Sequence, residues 1–144
     1  MKVIKLAQVP PPVVSAAGTV VEAVRTMQGV RVGAAAVLDG DQLVGIFSER
    51  DVMLRVVGAG KDPDTTLVSD VMTTDLERAT GETQSGDALE LMVEKHIRHL
   101  PIVDTGDKLV GLLSIRNLLQ HHVDDLVDQL NSLEAYFSAD GPGG

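Results

Sequence analysis

One stretch of this chain occurs twice. Leu43-Val44-Gly45-Ile46-Phe47-Ser48-Glu49-Arg50-Asp51 returns as Leu109-Val110-Gly111-Leu112-Leu113-Ser114-Ile115-Arg116-Asn117, with Gly45 and Gly111 66 residues apart. The same interval pairs Ala36-Val37 with Ile102-Val103, and Asp41 with Asp107. Upstream, Glu22-Ala23 and Met27 match Asp87-Ala88 and Met92 at an interval of 65, so a one-residue insertion separates the two blocks. Self-similarity of this length means two copies of one supersecondary unit. In 144 residues, that leaves room for two half-size units sharing a core.

Each copy reads as strand, helix, strand, strand, helix. The first strands lie around Val13–Ser15 and Leu76–Thr80, and the first helices span about Val20–Gln28 and Asp87–Lys95. Thr19-Val20-Val21-Glu22 fits a capping box, in which a hydroxyl and a carboxylate satisfy each other's backbone N–H groups. Apolar, β-branched runs follow at Ala34–Leu38 and Leu43–Phe47, and again at Leu100–Asp104 and Leu109–Leu113. Turn residues Asp39-Gly40-Asp41 and Thr105-Gly106-Asp107 separate the members of each pair. Second helices begin at Ser48 and Ser114. The expected class is α+β: two β-α-β-β-α repeats closed by a long C-terminal helix.

The expected organisation assigns residues 1–60 to the first repeat, with its core at about 12–57. Residues 61–75 form a linker and short helix, 76–120 the second repeat, 121–137 a helical extension and 138–144 a disordered tail. The head, Met1 to Gln8, reads equally as strand or helix before Pro10-Pro11-Pro12 interrupts it. In the last helix Leu119, Val123, Leu126, Leu130, Leu133 and Phe137 alternate steps of four and three, a heptad seam. An ordinary amphipathic helix covering its own domain would look similar. The repeat already ends near Leu119, however, so the extra turns point to a partner subunit and a homodimer.

Composition removes several classes of function. With 12 Lys and Arg against 21 Asp and Glu, the formal net charge is −9, and no basic stripe offers itself to nucleic acid. Aromatics are 2% of the chain, Phe47, Tyr136 and Phe137, too few to stack single-stranded bases. The absence of cysteine excludes disulfides and thiolate metal sites. No apolar run reaches the ~20 residues of a membrane span, so a cytoplasmic location is expected. Neither a Walker loop, Gly-x-Ser-x-Gly nor His-Glu-x-x-His is present, and no enzymatic activity is expected. His96 and the His121-His122 pair read as surface residues. Neighbours on a helix point apart, so they are not expected to hold a metal.

The segments Thr19-…-Glu22-Ala23-…-Met27, Arg98-His99-Leu100-Pro101-Ile102-Val103, Gly45-…-Ser48-Glu49-Arg50-Asp51 and Gly111-…-Ser114-Ile115-Arg116-Asn117 resemble the cystathionine-β-synthase-type (CBS) domain. Two ordered copies resemble a Bateman module over roughly Pro12 to Gln120. The resemblance implies repeats packed about a pseudo-twofold axis, two clefts between them and a regulatory ligand, AMP, ADP, ATP or a related adenosyl compound. It also implies signalling to a separate effector protein through a change of conformation. A degenerate pair that only dimerises is the alternative.

The residue chemistry suits such a ligand. A carboxylate one turn into a helix, Asp51, can accept both hydroxyls of a ribose, and Ser48 opens a helix whose free N–H groups favour phosphate. Ser48-x-x-Asp51 is equally a capping motif. Carried over from the resemblance, the first cleft combines Ile46, Ser48, Arg50 and Asp51 with Arg98, His99 and Pro101. The second combines Leu112, Ser114, Arg116 and Asn117 with Gly33, Ala34 and Ala35. There Asn117 is neutral and no cation stands in the Gly33-Ala34-Ala35 segment, although Arg31 is near. One working site per chain is therefore expected, centred on Asp51.

Overall fold

A computed structural model describes residues 1–139. Two three-stranded sheets of identical topology organise them. In the first, β1 (Val13–Ser15) pairs parallel with β2 (Ala34–Asp39), which pairs antiparallel with β3 (Gln42–Ser48). In the second, β4 (Ala79–Thr80) pairs parallel with β5 (His99–Val103), and β5 antiparallel with β6 (Leu109–Ser114). The crossovers are α1 (Val20–Val30) and α4 (Ser85–Lys95). The capping box of α1 forms as the sequence implies: Glu22 N–H donates to Thr19 Oγ1 at 3.3 Å, and Thr19 N–H to Glu22 Oε2 at 3.3 Å. Both crossover helices end on a left-handed residue, Arg31 (φ 57°) and His96 (φ 56°).

The structure corrects the alignment of the two copies. Arg31 and His96 are 65 residues apart, and that interval persists through the following strand. Ala34 faces Ser48 as His99 faces Ser114, and Leu38 faces Leu43 as Val103 faces Leu109. Both strands also shift register at corresponding points, between Val37 and Leu38 and between Ile102 and Val103. The inserted residue thus lies after the strand, in the turn. Asp39 and Gln42 still pair in copy one, whereas the second copy closes its turn with Asp104 N–H donating to Lys108 O at 2.9 Å. Ala36-Val37 therefore correspond to Pro101-Ile102, not to Ile102-Val103. A one-residue slip changes the face of every side chain. The corrected pairing puts Ala35 with Leu100 and Val37 with Ile102, all fully buried in their own repeat's core.

The head settles as a single 3-10 turn, Val3–Lys5, and packs on the second repeat rather than the first. Val3 is fully buried among Ala88, Met92, Leu100 and Leu113. Its N–H donates to Thr83 O at 2.9 Å, while Gln8 exchanges backbone hydrogen bonds with Leu112. The short helix α3 (Val68–Val71) does the converse, with Val68 and Val71 buried in the first core. Val3 and Val68 are again 65 residues apart. Each copy is thus preceded by a segment that seats its valine in the other copy's core, so the two repeats interlock. Two small clusters close the joint: Ala34, Ile46 and Leu112, and Ala36, Leu43 and Val103, with Leu76 against both.

The helices after β3 and β6 differ. In copy one α2 is a single turn, Glu49–Asp51, continuing as a π-helical run over Val52–Val57. That run closes with Gly58 N–H donating to Met53 O at 2.8 Å, where a Cβ on Gly58 would meet the Met53 and Leu54 carbonyl oxygens at 3.0 Å. In copy two α5 runs straight from Ile115 to Ala139. Leu118 is its last fully buried residue; beyond it Leu119, Val123, Leu126, Leu130, Leu133 and Phe137 are 47–63% exposed. Ser138 and Ala139 belong to this helix rather than to a tail, and the rest of the expected tail, 140–144, lies outside the described residues. No helix among the described residues is long and apolar enough to cross a membrane.

Candidate functional site

Between the repeats lies a cleft of about 290 Å³. Its first wall is the β3–α2 junction. β3 ends at Ser48, and at the start of α2 the Glu49 N–H already donates to Gly33 O at 2.9 Å, leaving fewer free N–H groups than the sequence implies. Ser48 Oγ accepts from Asp51 N–H at 3.3 Å, and Asp51 Oδ2 accepts from Ser48 N–H at 3.0 Å and Ser48 Oγ–H at 3.2 Å. The capping reading of Ser48-x-x-Asp51 is therefore correct as structure. It does not exclude the ligand reading, since both residues line the cleft. Asp51 Oδ1 is held separately, by Thr73 Oγ1–H at 3.2 Å and by Arg55 Nε at 3.6 Å. Asp51 is only 6% exposed, so its carboxylate is fixed in place by four groups before any ligand arrives.

The opposite wall comes from the second repeat, where α4 ends and β5 begins: His96, Ile97, Arg98 and His99. Burial, reinforced by the adjacent Arg98 guanidinium and only partly opposed by Glu49, holds the His99 imidazole below its usual pKa. His99 is thus neutral at pH 7 and can accept as well as donate a hydrogen bond. Of the residues assigned to this cleft from sequence, the structure brings together Ile46, Ser48, Arg50, Asp51, Arg98 and His99. Pro101 is buried in β5 and does not line it.

The third wall escaped the sequence reading. Thr73, Asp75, Leu76 and Glu77, which link α3 to β4, line the cleft, with Leu54 and Arg55 of the π-helical run. Thr73 exchanges backbone hydrogen bonds with Ile46, N–H to O at 2.9 Å and 2.8 Å. Gly45 makes this approach possible, since a Cβ there would sit 2.6 Å from Met72 Sδ and 2.9 Å from Thr73 O. That glycine was the available signal: Gly45 and Gly111 recur in both copies, at the point where another chain segment must come close.

The second-cleft residues are arranged differently. Gly33 lines the first cleft, where a Cβ would crowd Glu49 Oε1 at 3.0 Å. Ala34 and Leu112 are buried together in the joint between the repeats. Ser114 Oγ accepts from Asn117 N–H at 3.1 Å, repeating the cap, but Asn117 is exposed and its Nδ2 donates to Leu6 O at 3.3 Å. Arg116 is exposed at the start of α5. With the corrected interval of 65, Gly33 and Ala34 stand where the first cleft has Arg98 and His99. Ala36, not Ala35, stands where it has Pro101. Among the described residues no group of three or more His, Asp or Glu side chains is placed to hold a metal.

Comparison with known proteins accords with this geometry. The CBS domain pattern matches residues 3–58 and again 68–124, intervals that include the 3-10 turn and α3 as equivalent starts. An uncharacterized protein of Methanopyrus kandleri is 35% identical over 103 residues, covering 71% of this chain and 53% of the relative. The chain thus spans about half the length of that relative. Among solved structures, a signal-transduction protein with CBS domains from Burkholderia ambifaria superposes with a TM-score of 0.78 at 29% identity, over 87% of this chain and 96% of that one. A CBS domain protein from Pyrobaculum aerophilum complexed with AMP superposes with a TM-score of 0.73 at 28% identity, over 81% and 89% of the two chains.

Proposed function

Because the chain belongs to the CBS domain family and carries a pair of such domains, we propose that it is a regulatory module binding an adenine nucleotide or related adenosyl ligand in the cleft between its repeats. The observation that carries this reading is the junction of the Ser48–Asp51 turn of one repeat with Arg98 and His99 of the other. A ribose is matched by the immobilised Asp51 carboxylate, and a phosphate by the Arg50 and Arg98 guanidiniums. The base is matched by Ile46 and Ile97. A ligand touching both repeats favours one disposition of them over others, which is what a signal to a separate effector protein requires. No step of catalysis is assigned to these residues. The AMP-bound relative supports the ligand class.

Homodimerisation belongs to the same reading. The α5 seam is continuous from Leu119 to Phe137 and exposed throughout. In heptad register the flanking positions are Gln120, His122, Val127, Gln129, Glu134 and Tyr136, of which Glu134 is the one acid, so like charge does not oppose pairing with a second copy. If no ligand bound, the same seam would favour a dimerising scaffold. Thermal unfolding with AMP, ADP, ATP and S-adenosylmethionine separates the two. A ligand at ~100-fold excess over its Kd adds about 2.7 kcal/mol to stability, and calorimetric titration should then give one site per chain. No shift with any of the four would leave the scaffold reading.

A further inference from the structure

The charge inventory of the cleft goes further than the ligand class. Its lining holds four carboxylates, Glu49, Asp51, Asp75 and Glu77, and three guanidiniums, Arg50, Arg55 and Arg98. Arg55 is engaged by Asp51, and its Nη1 donates to Met72 O at 2.9 Å. Among the described residues neither Arg50 nor Arg98 is ion-paired. Two guanidiniums are therefore free for an anion, matching the charge of roughly −1.5 to −2 on a single phosphate near pH 7. Each further phosphate enters a space already holding Glu49, Asp75 and Glu77.

The backbone that carries Asp75 and Glu77 is held in place. Their segment is pinned at Thr73 by its exchange with Ile46, at Leu76 by the apolar joint between the sheets, and at Ala79 by the β4–β5 pairing. Sixty-five residues earlier, at the corresponding places beside the second cleft, stand Pro10 and Pro12. The acids are thus confined to the cleft that also holds the cations. Unpaired carboxylates in the same cleft as unpaired guanidiniums act as repulsive elements toward further phosphates, and specificity is built from repulsion as much as attraction.

We propose that Asp75 and Glu77 are specificity-determining residues that make this cleft select a nucleoside monophosphate and reject the triphosphate. The selection rests on the nucleotide reading of the cleft, and the test keeps the two apart. Calorimetric titration of the full chain with AMP, ADP and ATP, in EDTA so that no divalent ion masks phosphate charge, should give affinities falling in that order. ATP is expected to be weaker than AMP by about tenfold or more, the scale of one or two uncompensated charges in a partly screened cleft. In Asp75→Asn/Glu77→Gln, ATP should gain at least about fivefold while AMP changes less, narrowing the ratio. A control with the same change in net charge, Asp64→Asn/Glu94→Gln on exposed positions outside the cleft, should leave the ratio alone. Wild-type ATP binding as tight as AMP, an unchanged ratio in the cleft variant, or an equal change in the control would each overturn the selectivity while leaving the nucleotide reading intact. Binding of none of the three, nor of S-adenosylmethionine, by a chain with a native circular dichroism spectrum would overturn both.

Discussion

The two repeats share a topology, a cap and an interlocking valine, yet they put those parts to different uses. In copy one the carboxylate three residues into the second helix is buried and held by Ser48, Thr73 and Arg55. Its counterpart in copy two, Asn117, is exposed and reaches a single backbone carbonyl, Leu6 O. Facing the first junction are Arg98 and His99; at the positions equivalent to them in the first repeat stand Gly33 and Ala34. The helix that follows is wound into a π-helical run and ends at Val57 in copy one, but extends to Ala139 in copy two. Duplication supplied two equal scaffolds, and a handful of substitutions made one repeat's junction a candidate site and the other's helix an exposed apolar seam.

The largest expected effect breaks the second half of that contrast. Leu126→Asp/Leu130→Asp places two carboxylates at the centre of the seam, and burying them against a second copy would cost several kcal/mol. Sedimentation should show a dimer in the wild type and a monomer in the variant, with the dimer weakened on the order of 100-fold or more. Since these side chains are exposed and far past Leu118, the melting temperature extrapolated to low protein concentration should be nearly unchanged. A dimer that survives both substitutions would move the contact elsewhere, for instance to the apolar groove lined by Val24, Met27, Val32, Met53 and Val57.

A smaller effect tests the two caps against each other. Asp51→Ala strips the part-buried Ser48 N–H and Thr73 Oγ1–H of their acceptor, while Arg55 keeps Met72 O and solvent, so it should cost about 2 kcal/mol in urea unfolding. Asn117→Ala, at an exposed position, should cost less than about 1 kcal/mol. For AMP, Asp51→Asn retains an acceptor but loses the charge and should weaken binding by about tenfold. The reciprocal Asn117→Asp should create no second site, because nothing cationic stands at Gly33 or Ala34. A stoichiometry of two in that variant would show that the acid alone decides, and would break the comparison.

Much of this was legible in the sequence because repetition is legible: the topology, both caps, Gly45 and Gly111, and most of two walls of the cleft follow from aligning the chain with itself. What failed had physical reasons. The Ala34–Val37 run can be slid by one residue without changing its apolar character, since alanines and valines match either way. The strand register, visible only through Ala34 facing Ser48 and His99 facing Ser114, placed the insertion in the turn instead. Residues Met1–Gln8 could not be read because their partners, Thr83 and Leu112, are distant in sequence. The Asp75–Glu77 wall carries no local pattern; it lines the cleft because Thr73 bridges to Ile46.

His99 gives the smallest and most specific test. Burial and Arg98 hold its pKa below the ordinary value of 6.5, against the weaker pull of Glu49. The unfolded chain therefore takes up the proton first, and stability should fall as pH drops below about 6.5 toward the lowered native pKa. His99→Gln should remove that part of the slope. A phosphate bound by Arg98 beside His99 acts in the opposite sense, favouring the imidazolium and drawing in a proton. AMP affinity in the wild type should consequently rise, relative to His99→Gln, as pH is lowered from 8 to 6. The titration of the phosphate itself, near pH 6, is common to both proteins and cancels in the ratio. Parallel pH profiles for the two would mean that His99 faces some other part of the ligand than its phosphate, and would reassign the orientation of the nucleotide in the cleft.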